Sequence, residues 1–141
     1  MRRVASLVVL VAFAALVVAC RSGSSGADRL TGKTWTLSAV TQDVPAFQGV
    51  IPPAEQGRYT IEFRPDNTFT AKADCNSVQG VYLAGEGGSM TITPGPTTLV
   101  ACPPGSHGSA YTAALARTVS FVISSGQLSL TLSGGGKLQF S

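Results

Sequence analysis

Histidine occurs once in this sequence, at position 107, tryptophan once, at position 35, and cysteine three times. A single histidine excludes the multi-histidine metal centres, and no G-x-S-x-G segment is present to hold a serine nucleophile at a strand-to-helix elbow. Charge is also sparse, at 12% of residues. Arg29, Lys33, Arg58, Arg64, Lys72, Arg117 and Lys137 are scattered and interrupted by acids, so no basic stripe forms and nucleic acid is excluded as a partner. No apolar run reaches the ~20 residues of a membrane-crossing helix. The N-terminal apolar stretch, Ala5 to Val18, is shorter and runs into the polar RSGSSGADR.

That stretch carries the strongest signal in the chain. Arg2 and Arg3 supply a charged start, Ala5 to Val18 an apolar segment, and Leu16-Val17-Val18-Ala19-Cys20 a small-residue site ending in cysteine. The pattern is that of a bacterial lipoprotein leader. Residues 1–19 are therefore expected to be a signal peptide and residues 20–29 a lipidated cysteine, Cys20, with a flexible tether. A folded domain is expected over 30–141. The expected location is the cell membrane, lipid-anchored on its extracytoplasmic face. Without Arg2 and Arg3 the remaining eight basic and seven acidic residues nearly balance. With Cys20 acylated, Cys75 and Cys102 remain in an exported chain, and a disulfide is the default. Closing their loop would stabilise the fold by about 3.5 kcal/mol from chain entropy.

Alternation places strands at Trp35-Thr36-Leu37 and Tyr59 to Phe63, with Tyr59, Ile61 and Phe63 on one face. Arg64-Pro65-Asp66-Asn67 has the chemistry of a tight turn, Asn67 tolerating left-handed backbone. On the returning arm Phe69, Ala71, Ala73 and Cys75 share the inner face, so Cys75 is expected to point inward. Gly80 interrupts the next segment, where a residue without Cβ permits a bulge or a close backbone approach. Met90 and Ile92 form a brief strand that Pro94-Gly95-Pro96 is expected to break. One short helix is expected near residues 109–118, capped by Ser109. Val119, Phe121 and Ile123, then Leu128, Leu130 and Leu132, alternate as inward-facing positions, and Gln42 to Gly57 reads as a surface loop. These elements describe a mainly β (α+β) domain, a small curved antiparallel sheet or partly closed barrel.

The ordered segments Leu30 to Leu37, Tyr59 to Tyr82 and Ser89 to Gly105 resemble the META domain (HslJ-like) family. Asp74-Cys75-Asn76 is the most specific fragment, and Gly80 stands at the family's glycine. The resemblance covers nearly all of Leu30 to Phe140. It implies a small, mostly antiparallel β domain found in bacterial envelope proteins, often lipid-anchored and loosely tied to heat or antibiotic stress. It brings no catalytic residue set.

Asp74, Asn76 and His107 are the remaining weak binding candidates. Asp74 and Asn76 flank a cysteine at a strand end, where short polar side chains most simply satisfy irregular backbone. His107 lies in a glycine-flanked loop, where it is expected to be exposed. Cys75, Cys102 and His107 could supply three zinc ligands, but the disulfide is the simpler outcome, and no metal or cofactor is expected. Asp66-Asn67 is a turn rather than a calcium loop, the glycine runs lack phosphate-loop context, and Trp35 belongs to the core. The chain therefore reads as a non-enzymatic envelope lipoprotein that contacts an envelope protein or acts in stress. The alternatives are a carrier of a small apolar ligand and, third, a hydrolase.

Overall fold

The computed structural model describes residues 26–42 and 48–141; the signal segment, Cys20 and the start of the tether lie outside the described residues. Strand β1 spans Thr34–Thr41, followed by a short β2 at Gly49–Val50 and a one-turn helix α1 at Pro53–Gln56. The stretch expected to be a loop thus carries two small elements. Strands β3 (Tyr59–Phe63), β4 (Thr68–Ala73), β5 (Asn76–Ala84) and β6 (Met90–Thr97) form a meander. Helix α2 (Gly108–Ala116) then leads to β7 (Thr118–Ser124), β8 (Gln127–Leu132) and β9 (Lys137–Phe140). Every ladder is antiparallel, in the order β6-β5-β4-β3-β1-β9-β8-β7, with β2 paired to β1.

The two outer strands of this order curl toward each other and meet in an isolated bridge between Ser89 and Ser120. The result is a curled, partly closed barrel whose outer strands touch at one seam. Alternation along the strands sends Trp35, Ile61, Phe63, Phe69, Leu128, Leu130, Leu138 and Phe140 into one continuous core. Each such side chain contributes roughly 1.5–3 kcal/mol through removal from water. The Trp35 indole donates to the Leu30 carbonyl at 2.9 Å, which ties the entering chain to the barrel. Tyr111 of α2 is fully buried, packed edge-on to Tyr59 at 5.7 Å and tilted against Phe140 at 6.5 Å.

The β3–β4 turn forms as its chemistry dictates. Asn67 has φ 63°, and Asp66 Oδ1 accepts hydrogen bonds from the Thr68 backbone N–H at 3.0 Å and its hydroxyl at 2.6 Å. At Gly80 the pairing with β6 shifts register, and a Cβ would lie 2.3 Å from the Thr93 carbonyl oxygen and 2.7 Å from a Phe69 ring carbon. Both a bulge and a close approach are present.

Four local expectations are corrected. Strand β6 runs through Pro94-Gly95-Pro96 instead of ending there, because it is an edge strand whose outer side needs no N–H donors. Val119 is exposed and Thr118 buried, since a register shift between Thr118 and Ser120 breaks the alternation. Ser109 does not cap α2; the helix starts one residue earlier, and Ser106 Oγ accepts from the Gly108 N–H at 3.3 Å. Cys75 is exposed rather than inward, because β4 ends at Ala73 and Asp74 turns the chain with φ 64°.

Candidate functional site

The turn between β4 and β5 is where the expected site residues converge. Ala73 pairs with Asn76, leaving Asp74 and Cys75 as the two turn residues. Left-handed backbone at Asp74 matches the twist of a two-residue hairpin, and aspartate tolerates it better than most residues. The reversal hides the carboxylate, only 6% of Asp74 being exposed, and puts the Cys75 sulfur outside.

Buried charge needs a partner. Arg58 supplies it, its Nε and Nη2 donating to the two carboxylate oxygens at 2.6 and 2.9 Å in a bidentate pair, while the Arg58 side chain as a whole keeps 37% exposure to water. Hydrogen bonding from Arg58 holds the Asp74 carboxyl below its ordinary range; desolvation opposes this, and the Ser106 hydroxyl adds to it. The Asp74 N–H donates to the Arg58 carbonyl at 2.7 Å. Sequence reading missed Arg58, although the signal was there: pairing of Tyr59 with Ala73 places the preceding Arg58 opposite Asp74.

Asn76 secures the segment that follows β6. Its Oδ1 accepts from the Val100 N–H at 2.8 Å and the Thr98 hydroxyl at 3.0 Å, and its Nδ2 donates to the Val100 carbonyl at 3.0 Å. Thr98 Oγ1 accepts from the Ser77 N–H at 2.9 Å. The Cys75–Cys102 disulfide, with Cα atoms 5.5 Å apart, closes the same contact covalently. Asp74, Cys75 and Asn76 thus hold three points of one strap, residues 98–107. Their role is that of a staple.

His107 ends this strap. Its backbone N–H donates to the Tyr59 hydroxyl at 3.0 Å, just ahead of α2. The disulfide consumes both thiols that a zinc site or a cysteine nucleophile would use, and both oxygens of the Asp74 carboxylate accept from Arg58. Among the described residues no group of three histidine, cysteine or acidic side chains is placed to hold a metal.

Beside the staple, α2 and the strap enclose an open groove of about 500 Å³, lined largely by Pro94, Leu99, Ala113, Ala116 and threonine side chains. Leu99 is 94% exposed at its rim and Val100 is exposed beside it. A leucine so exposed is held there by the strap's anchoring. The arrangement presents a weakly polar surface beside the staple.

The META domain family model matches residues 28–141. The chain belongs to the META domain family. No curated protein is significantly similar in sequence. Among solved structures, this META domain is similar to a protein from Burkholderia xenovorans determined by NMR, at 27% identity and a TM-score of 0.61, covering 82% of this chain and 84% of that one. It is also similar to a DUF4847 family protein from Bacteroides vulgatus, at 16% identity and a TM-score of 0.57, covering 79% of this chain and 93% of that one. The latter likeness concerns the fold alone. These neighbours share a small domain whose function is uncertain.

Proposed function

We propose that this META domain is the folded part of an exported lipoprotein, acylated at Cys20, held on the extracytoplasmic face of the cell membrane, and working by contact with an envelope protein in a stress-related role. Catalysis is not part of this reading. The observation that carries it is the Cys75–Cys102 bridge at an exposed turn. A bond of that kind persists in oxidising compartments, and it leaves Cys20, directly after Leu16 to Ala19, as the odd cysteine. The contact surface is the strap, where the staple keeps Leu99 and Val100 in solvent beside an apolar groove. Exposed apolar patches on small domains mark interaction sites.

Expression of Cys20→Ser beside the native chain tests the anchor. The native protein is expected in the membrane fraction with an acyl-chain mass on Cys20, and the variant is expected soluble or unprocessed. Native protein that keeps its initiator methionine and Arg2 in the cytosol would refute export. A photo-crosslinker at Leu99 in intact cells tests contact, and a discrete adduct that weakens in Asn76→Ala supports it. Native mass spectrometry showing a retained apolar small molecule in the groove would instead make the domain a carrier.

A further inference from the structure

The charges of this chain are distributed very unevenly around the barrel. From Asn76 to Ser133, a span that includes β5, β6, β7 and β8, only Glu86 and Arg117 are charged. No residue of those four strands carries a charge. The opposite wall has the outward Glu62 on β3, Lys72 on β4 and Lys137 on β9. On the uncharged wall Val81, Leu83, Val119 and Val122 are exposed, with the exposed Thr91 and Thr93 between them on β6. Arg117 is occupied, donating to the Ser133 and Gly135 carbonyls at the helix end.

The seam of the barrel runs down the middle of this wall, at the Ser89–Ser120 bridge. A cleft of about 690 Å³ opens there, lined by Ala84, Gly88, Phe121 and Val122 together with Gly26 and two charged residues, Arg29 and the exposed Glu86. Gly26 is the first described residue and lies against the Phe121 ring, where a Cβ would sit 3.3 Å from the ring edge. The domain is therefore reached by its tether through the uncharged wall. Only five residues lie between Cys20 and Gly26, a reach of at most about 22 Å even when extended.

We propose that the uncharged wall of β5, β6, β7 and β8 is the face this domain turns to the lipid bilayer, resting on the headgroup region with its seam toward the anchor. The proposal rests on the acylation of Cys20 argued above. A short tether converts a weak surface contact into an intramolecular one at high effective concentration, so a few exposed valine and leucine side chains are enough to orient the barrel. Charged side chains would oppose approach to the low-dielectric layer, and this wall has none on its strands. Arg29 and Glu86, both in the cleft beside the tether, lie off the strands at the seam, and in this orientation Arg29 faces the lipid phosphates and Glu86 the choline groups. The same orientation turns Glu62, on the opposite wall, away from the bilayer.

The test uses the full lipidated protein in phosphatidylcholine vesicles whose acyl chains carry bromine, a short-range quencher of indole fluorescence. Trp35 is buried and serves as a constant background. Val122→Trp and Leu83→Trp each place an indole on the proposed face, and Glu62→Trp places one on β3 in the middle of the strand order. All three replace exposed side chains, and two reporters guard against one misfolding. Loss of emission in V122W and L83W with E62W unaffected is the expected result. Equal quenching at all three positions, or none in V122W and L83W while the protein sediments with the vesicles, overturns the orientation and leaves the anchor intact. A protein without acyl mass on Cys20 overturns the anchor, and the orientation with it.

Discussion

Asp74 shows how one residue sets both a turn and a charge. Its folded carboxyl titrates below the ordinary aspartate value near ~3.9, because Arg58 favours the ionised form. A depressed folded value means stabilisation present above the unfolded value and lost as pH falls through the folded one. Asp74→Asn retains tolerance of left-handed backbone but removes the charge. It is expected to be less stable than the native domain at pH 7, with the two denaturation midpoints converging below about pH 4. A difference that stays constant with pH would show that the ion pair is not its source. Gly80 makes the complementary case, where space rather than charge decides. Gly80→Ala forces a methyl into the Thr93 carbonyl and the Phe69 ring and is expected to cost about 1–3 kcal/mol. Gly57→Ala, in helical backbone with open space, is expected to be neutral or to gain up to about 1 kcal/mol. Urea denaturation of the two variants checks the contrast.

At the scale of elements, the hairpins and the irregularity at Gly80 were legible, and the other irregularities were not. Alternation in Tyr59 to Ala73 and the turn chemistry of Arg64 to Asn67 identified the β3–β4 hairpin and the inward faces of its strands, and the register the structure gives it places Arg58 against Asp74. Pro94 and Pro96 misled because their cost depends on whether a strand lies at an edge, and local sequence does not say which strands do. Val119 misled because one bulge residue inverts the facing of its neighbours. The contacts from Asn76 to Thr98 and Val100 had no local signal, since the strap has no periodicity of its own. Replacing both Cys75 and Cys102 by serine is expected to lower stability by up to about 3.5 kcal/mol. Amide exchange should then rise first in residues 101–107, while Val100, still bonded to Asn76, keeps part of its protection. Uniform exchange across all strands in that variant would show that the strap is not a separable unit.

For the whole molecule, the last strand is the keystone of the barrel. β9 pairs with both β1 and β8, joining the N-terminal meander to the C-terminal hairpin. Deleting residues 137–141 would strip both neighbours of a partner and uncover Leu37 and Leu130. Loss of the cooperative thermal transition is expected, followed by near-ultraviolet circular dichroism; a retained sharp transition would mean that the two halves are stable apart. The amino-acid order alone determined the strand segments, the tight turns, the glycine contact and the family, because these follow from period-two burial, backbone freedom and linear motifs. Only tertiary structure decided that Asp74 is buried and Cys75 exposed, that β6 and β7 meet at a seam, and that uncharged strands gather on one wall. Those outcomes depend on which distant strands become neighbours, and strand neighbours are chosen by closure of the whole sheet around one core rather than by any segment's own pattern.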